Sequence, residues 1–254
     1  MSAALVELAC GASTVSVDRS ILEMSTERVH WRAFLTTDTA APPMLRVERH
    51  DQLEGTVVAG PLGTCVARLE GDVLQVVVND GPFLGELVLR LAWYLATTRQ
   101  GGVLVHAAAL AQGDDGLVAC GKSGDGKSTL SRLCRSGGLR LLTDEVVQLF
   151  PDGQAGGTPF RSDFDNVGSP GLVRARYLVA LRKADSENLE PLGASDAAQL
   201  AMAQCFAVDE FAIPRADVRR RILGFLSNVE LRTLAFRKEP HVAEFVREIL
   251  RPAP

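Results

Sequence analysis

The sequence lacks a disulfide or zinc pattern, an excess of positive charge and any long apolar run. Its five cysteines are odd in number, scattered and without Cys-x-x-Cys spacing, so they indicate neither a disulfide framework nor a zinc site. Lys and Arg number 27 against 31 Asp and Glu, which gives a net charge of −4 and no basic excess for nucleic-acid binding. No stretch reaches the roughly 18 uninterrupted apolar residues of a membrane span. We therefore expect a cytoplasmic protein that binds neither nucleic acid nor membrane.

Aromatic residues are also few, at 6%, but 46% of the residues are apolar and 23% are charged, the ordinary balance of a soluble globular protein. A chain of 254 residues corresponds to between one and two domains. The hydrophobic pattern changes near residue 100. We therefore predict a strand-rich N-terminal subdomain over residues 1–99 and a second domain over residues 100–254.

The pattern of the first part predicts short strands closed by a helix. Between residues 83 and 99 apolar residues recur at i, i+3 and i+4, which predicts an amphipathic helix ended by Gly101-Gly102. Before that helix, apolar or β-branched runs separated by turn-forming residues predict strands at Thr14–Val17, Leu45–Val47, Thr56–Val58, Cys65–Leu69 and Val73–Val78.

The pattern of the second part predicts alternating strands and helices, so the chain is assigned to the α/β class, or α+β overall. Strands are expected at residues 103–106, 116–120, 139–149 and 177–181. Helices are expected at residues 128–134, 195–206 and 214–250.

The strongest motif is the stretch from Gly121 to Ser128, which matches the phosphate-binding pattern Gly-x-x-x-x-Gly-Lys-Ser/Thr between an apolar strand and a helix. Its glycines allow backbone N–H groups to turn toward phosphate oxygens, and the helix N-terminus adds a favourable dipole. We predict that Lys127 reaches the β- and γ-phosphates of a nucleoside triphosphate and that Ser128 ligates Mg²⁺. The predicted nucleotide-binding residues are Gly121, Ser123, Gly124, Asp125, Gly126, Lys127, Ser128 and Thr129.

Two neighbouring carboxylates, Asp144 and Glu145, follow the apolar strand after the phosphate-loop helix. A strand that delivers an acid beside a phosphate loop is the Walker B arrangement, in which the acid holds Mg²⁺ directly or through water. The second carboxylate can then act as a base or position a water molecule. The alternative interpretation is an exposed acidic pair at a strand end.

His106 lies in an apolar run, where a single histidine is more often structural than functional. Its spacing from the other motifs favours a function, because it precedes Gly121 by 15 residues while Asp144 and Glu145 follow Gly121 by 23 and 24. In this order and spacing, over residues 103–150, the three features resemble the catalytic domain of HPr kinase/phosphorylase and the wider group of HPr-kinase-related kinases.

The resemblance implies a P-loop kinase core of the HPr kinase/PEP carboxykinase type that uses ATP and Mg²⁺ and assembles into homo-oligomers. It implies that Glu145 removes the proton from a substrate hydroxyl, that His106 tunes this carboxylate and that Asp144 lies near Mg²⁺. The family's Glu-x-x-Arg-Gly signature, which supplies a further Mg²⁺ ligand, is absent. Asp163 is the candidate ligand in its place, with Asp165 behind it, and a solvated acidic loop is the alternative. The difference argues against phosphorylase activity and against HPr as the substrate.

Two groups of basic residues have both a functional and a solvated interpretation. An arginine or lysine after the acidic pair could stabilise the transferring phosphoryl group; the candidates are Arg161, Arg174, Arg176 and Lys183. A basic run near the C-terminus is either a solvated face or a docking patch for an acidic peptide or leader sequence; it consists of Arg215, Arg219, Arg220 and Arg221.

Three functions remain open from the sequence. The first is an ATP- and Mg²⁺-dependent kinase that phosphorylates a Ser or Thr hydroxyl of a peptide or protein, and the resemblance suggests a ribosomal precursor peptide of a biosynthetic cluster as its substrate. The second is a kinase of a free hydroxy amino acid or similar metabolite. The third is a nucleotide-binding regulatory module without significant transfer. A motor or transport ATPase is disfavoured, because the sequence has no ABC-type signature after the loop.

Overall fold

The computed structural model describes residues 5–25, 29–37, 41–78, 83–161 and 167–251. Its strands are β1 Leu5–Cys10, β2 Ser13–Asp18, β3 Leu45–Arg49, β4 Thr56–Gly60, β5 Gly63–Glu70, β6 Val73–Val77, β7 Val103–Val105, β8 Ala107–Gln112, β9 Asp115–Cys120, β10 Arg140–Thr143, β11 Val147–Leu149, β12 Gln154–Gly156, β13 Leu172–Lys183, β14 Asn188–Pro191, β15 Cys205–Phe206 and β16 Glu230–Phe236. Its α-helices are α1 Arg19–Glu23, α2 Leu84–Arg99, α3 Lys127–Ser136, α4 Ala194–Ala203, α5 Arg215–Leu226 and α6 His241–Leu250, and short 3-10 helices cover Trp31–Phe34 and Asp209–Phe211. The fold is mixed α/β.

The strands form two mixed sheets. The first has the order β1-β2-β3-β6-β5-β4, with parallel pairs at β2–β3 and β3–β6. The second has the order β10-β8-β9-β13-β12-β11-β7-β15. The long strand β13 also pairs in parallel with β16, which in turn pairs with β14. The first sheet is built entirely from the first hundred residues.

Helices cover both faces of the second sheet. Side chains alternate along β8, so that Ala107 and Ala109 face a core shared with α4 and α5, while Ala108 and Leu110 face a core shared with α3 and α6. Both faces of this sheet are therefore buried, which accounts for the nearly continuous apolar runs of its strands.

Helix α2 joins the two halves of the molecule. It packs in the core of the first sheet, and the same core takes in Leu104, Val146, Phe160 and Val208 from the second half of the chain. The sequence correctly predicts this helix, but the amphipathic interpretation is wrong, since 13 of its 16 residues are buried. An apolar helix surface on all sides is typical of a helix enclosed between layers. The division into domains at residue 100 stays a prediction.

The structure corrects several predicted elements. The expected strand 139–149 is two strands, β10 and β11, separated by a bend at residues 144–146. The expected strand 103–106 ends at Val105, and β8, which follows it, was not predicted. The expected helix 214–250 is α5 and α6 with β16 between them. The segment Glu230–Phe236 forms a strand because β13 and β14 pair with it on either side, and this tertiary pairing overrides its local preference. No described helix is both long and apolar enough to cross a membrane.

Candidate functional site

Three strand ends meet at one edge of the second sheet. Strand β9 ends at Cys120 and strand β10 ends at Thr143, and both run antiparallel to β8, which lies between them and begins at Ala107. The ends of β9 and β10 therefore point the same way as the start of β8. The predicted phosphate loop, the acidic pair and His106 are the residues immediately beyond these three strand ends. The topology thus brings together the motifs that the sequence separates by up to 39 positions.

The predicted phosphate loop connects β9 to α3 through two glycines in the left-handed region. Gly124 has φ +89° and Gly126 has φ +110°, values that L-residues with side chains rarely adopt. A Cβ on Gly126 would also lie 3.2 Å from the Phe236 ring. No side chain caps the first turn of α3, so its N–H groups are available at the loop. Ser128 and Thr129 are half-buried in that turn, and Ser123 is exposed at the tip of the loop.

Lys127 is folded into the loop that precedes it. Its ammonium donates hydrogen bonds to the carbonyl oxygens of Gly121, at 2.6 Å, and Lys122, at 3.3 Å. Burial lowers the pKa of Lys127, and this effect is opposed by Cys120, Asp125 and Glu145. The Asp125 carboxylate accepts a hydrogen bond from the Lys122 N–H at 2.6 Å. Asp125, predicted to bind nucleotide, therefore closes the loop from within.

The acidic pair lies on a bend that two buried threonines hold in place. The Thr143 hydroxyl lies 3.3 Å from the Glu145 N–H, from which it accepts a hydrogen bond, and 3.2 Å from the Phe160 carbonyl, to which it donates. The Thr158 hydroxyl donates to the Val146 carbonyl at 2.6 Å. Asp144 is 1% exposed. A buried carboxylate at this edge is not the exposed acidic pair of the alternative interpretation.

The Glu145 carboxylate lies between His106 and an arginine of α2. Its Oε2 is 3.8 Å from Nδ1 of His106, and its Oε1 is 3.5 Å from Nη2 of Arg90. Burial raises the pKa of Glu145, Asp144 and Glu86 raise it further, and Arg90 opposes the rise. Burial and the charges of Lys127 and Arg90 lower the pKa of His106, while the Glu145 carbonyl and Asp144 oppose this. Neutral imidazole and a carboxyl group with a raised pKa are the states that suit proton transfer near neutral pH.

Sequence reasoning missed Arg90 and its partner Glu86. Arg90 Nη2 lies 2.8 Å from the Glu86 carboxylate, which is four residues earlier on α2, and the guanidinium stacks over the Phe160 ring at 4.7 Å from its centroid. The Glu86 side chain is 2% exposed and that of Arg90 14%. The available signal was a Glu–Arg pair at i, i+4 in an otherwise apolar helix, because charges in such a helix are buried and need partners.

The structure separates the predicted phosphate-stabilising cations. Arg174 pairs in register with Asp115, at the start of β9, and Arg176 lies 3.9 Å from the Asp115 carboxylate. Cys120, where the phosphate loop begins, is five strand residues away, or roughly 17 Å. The prediction is therefore wrong for Arg174 and Arg176, which lie at the opposite edge of the sheet. Lys183 ends β13 on the same side as the loop.

A further cation beside the loop escaped prediction. The Cε atom of Lys238 lies 3.8 Å from the position that a Cβ would take on Gly126, and this lysine is exposed. It follows β16, in the segment predicted to be helical, so its approach to the loop was hidden by the error in secondary structure. Arg161 lines a cavity of 840 Å³ together with Trp31 and Arg32.

Asp144 and Ser128 are the described residues suited to hold Mg²⁺, since carboxylate and hydroxyl oxygens are its preferred protein ligands. Among the residues that the structure describes, no group of three or more His, Cys, Asp or Glu side chains could hold a metal on its own. Mg²⁺ in nucleotide sites is held by one or two protein ligands together with substrate phosphates and water, so the donor set fits. Asp163 and Asp165 lie outside the described residues.

Comparisons with known proteins give distant likenesses to solved structures. No family model matches the chain, and no curated protein matches it. The chain is similar to HPr(Ser) kinase/phosphatase. One match is to the structure of that protein from Coxiella burnetii, with a TM-score of 0.34 and 13% identity, and it covers 58% of this chain and 92% of the other.

Proposed function

We propose that the protein is an ATP- and Mg²⁺-dependent kinase that transfers the γ-phosphoryl group to a Ser or Thr hydroxyl of a peptide or protein. The observation that carries the proposal is the meeting, at one sheet edge, of the predicted phosphate loop with an acidic pair in which Asp144 is buried and the half-buried Glu145 lies 3.8 Å from His106. A phosphate loop alone indicates nucleotide binding. The added carboxylate, with a pKa raised by burial, supplies a base for the acceptor.

The chain's own residues would divide the chemistry between them. Lys127 and the loop N–H groups neutralise negative charge on the phosphates as it shifts during transfer. Glu145 accepts the proton of the attacking hydroxyl, whose oxygen forms the new P–O bond as the bond from the γ-phosphorus to the leaving oxygen breaks. His106 and Arg90 hold the Glu145 carboxylate from two sides. Ser128 and Asp144 would hold Mg²⁺, which would supply further charge neutralisation.

The proposal is tested by mass spectrometry after incubation of the protein with ATP and Mg²⁺. The acceptor pool contains Ser- and Thr-bearing peptides, peptides encoded near the gene and free hydroxy amino acids. Phosphate on a peptide hydroxyl, absent with Lys127→Ala, supports a peptide kinase. Phosphate on a free hydroxy amino acid would contradict the peptide kinase and indicate a metabolite kinase. ATP binding without transfer to any acceptor favours the regulatory module.

Arg90 is proposed as a positioning residue, and its effect on Glu145 gives a pH-dependent prediction. Arg90 opposes the rise in the pKa of Glu145, so Arg90→Met should raise that pKa further. The base is then protonated at higher pH, and the fall of kcat/KM toward acid should begin at higher pH than in the wild type. The measurement is kcat/KM against pH with the acceptor identified above.

Glu86→Gln is the matched control for Arg90→Met. Glu86 raises the pKa of Glu145, so its neutralisation should move the acid limb to lower pH, opposite to the effect of Arg90→Met. Both substitutions break the same buried ion pair and should lower the melting temperature alike. A shift of both acid limbs in the same direction would show that Arg90 has only a structural role.

A further inference from the structure

Helices α4 and α5 enclose a groove that the proposed phosphoryl transfer does not use. Three cavities of 480, 530 and 410 Å³ lie along these helices, and all three are lined by Met202. The first two also share Arg219 and Leu223, and the last two share Arg215. The cavities therefore form one continuous surface, which we name the α4/α5 groove.

The floor of the α4/α5 groove is apolar. Met202 of α4 lies opposite Ile222 and Leu223 of α5. Leu223 is 42% exposed, and few large apolar side chains among the described residues are as exposed. The third cavity continues this floor with Phe206 and Val218. Such a floor favours a ligand that carries apolar side chains.

Arginines form the rim of the groove. Arg215 and Arg219 are spaced i, i+4 with Leu223, so the three lie on one face of α5, and Arg220 is exposed beside them. Arg221 belongs to the same basic run but points inward, where it donates to the Thr98 and Gly102 carbonyls at 2.8 and 2.9 Å. The run therefore divides into one structural arginine and three that face the groove.

Few acidic groups offset this rim. Asp217 pairs with Arg220 at 2.9 Å, which leaves the charges of Arg215 and Arg219 uncompensated within α5. Among the described residues that line the three cavities, Asp209 is the single acidic side chain. It lines the third cavity, of 410 Å³, and not the two that Arg219 lines. The charge of the groove therefore complements a ligand that bears carboxylates.

One end of the groove lies beside the candidate site. The third cavity includes Cys205 of β15, which pairs with Val105 of β7. The next residue, His106, donates its N–H to the Gln204 carbonyl at 2.7 Å. Gln204 is two residues from Met202, a separation of at most about 7 Å along the chain. An extended peptide can therefore occupy the groove and reach the site with the same chain.

We propose that the α4/α5 groove binds a segment of the substrate peptide that is rich in acidic and apolar residues and lies apart from the hydroxyl that is phosphorylated. Its role as a substrate-docking site rests on the proposed kinase function. A hydroxyl-bearing side chain offers few contacts for selection, and a second segment bound nearby raises the effective concentration of the acceptor. The apolar floor favours a peptide over a phosphate-rich polymer.

The test selects ligands from a library of random twelve-residue peptides and measures binding of the selected peptides by fluorescence anisotropy without nucleotide. Peptides retained by the wild type should be enriched in Asp and Glu together with large apolar residues. The double variant Arg215→Glu/Arg219→Glu should weaken their binding by about tenfold or more. Leu223→Ser tests the floor and should also weaken binding. Arg49→Glu, an exposed reversal on β3 of the other sheet, is the matched control and should leave binding unchanged.

The outcomes separate this proposal from the kinase proposal. Lys127→Ala should bind the selected peptides as the wild type does, because the groove does not include the phosphate loop. If acidic peptides bind through Arg215 and Arg219 but the protein phosphorylates no acceptor, peptide binding by the groove would be supported and the kinase function would be overturned. If the selected peptides are not enriched in acidic residues, or if Arg215→Glu/Arg219→Glu leaves their binding unchanged, the proposal that the α4/α5 groove binds an acidic peptide would be overturned. A dimer that forms with rising concentration and is lost in the double variant would assign the groove to a second copy of the chain instead.

Discussion

Lys127→Ala should abolish nucleotide binding and turnover together. Lys127 is 6% exposed, and its ammonium sits inside the predicted phosphate loop, where it donates to the Gly121 carbonyl. A cation in this position meets phosphate with little competition from water, and removal of a buried charged partner weakens binding by about 10²-fold or more. Calorimetric titration with ATP and Mg²⁺ measures the affinity, and ADP formation measures turnover.

Lys122→Ala is the matched control for Lys127→Ala. Lys122 is in the same loop, but its side chain is exposed, and its contacts there are made by its backbone N–H and carbonyl. Alanine keeps both backbone groups, so Lys122→Ala should bind ATP as the wild type does. Wild-type affinity in Lys127→Ala would contradict the assignment of this loop to phosphate binding.

The parts of the fold that depend on local sequence could be predicted. Residues 14–17, 45–47, 56–58 and 65–69 all lie in strands, and so does the predicted strand 73–78 except for its last residue, because apolar runs between turn-forming residues suit a half-buried sheet. The limits of α2 are correct within one residue of the prediction. The mixed parallel and antiparallel order of the two sheets could not be predicted, since pairing depends on contacts between distant segments.

The errors in the C-terminal third have the same physical origin. The sequence Glu230–Phe236 has residues that suit a helix as well as a strand, and its pairing with β13 decides between them. Two local features of the sequence nevertheless argue against one continuous helix over residues 214–250. Asn228, which donates to the Gly224 and Pro151 carbonyls after α5, and Pro240, which precedes α6, both mark breaks in a helical pattern.

The candidate site likewise has one part that is continuous in the sequence and could be predicted, and another that depends on contacts between distant segments and could not. The predicted phosphate loop is a continuous motif with a demanding backbone, and the positive φ values at Gly124 and Gly126 are the conformation that its glycines favour, so the course of the backbone here could be predicted from the sequence. Arg90 reaches Glu145 across 55 positions of the chain, from a helix assigned to the other subdomain. No spacing of residues in the sequence predicts such a contact between distant segments. Lys238 was missed for the same reason, since the strand before it sets its position.

Glu145→Gln should retain ATP binding but lower the rate of phosphoryl transfer by about 10²–10⁴-fold. Glutamine has nearly the same shape and can still contact Arg90 and His106, but it cannot accept the proton of the attacking hydroxyl. ATP affinity depends on the phosphate loop and should change little. Single-turnover transfer to the identified acceptor, measured at saturating ATP, separates the chemical step from binding.

The pH dependence of the same variant makes the test specific to a base. Because burial raises the pKa of Glu145, transfer by the wild type should fall as the pH drops through that raised value. Glu145→Gln should lack this fall, since no carboxyl group remains to be protonated. Glu244→Gln, an exposed change on α6, should keep both the rate and the pH profile of the wild type.

An unchanged transfer rate in Glu145→Gln would show that Glu145 is not the base. If a cellular role dependent on Lys127 also persisted in Glu145→Gln, the regulatory module would account for the site better than the kinase, because nucleotide binding alone would then be sufficient.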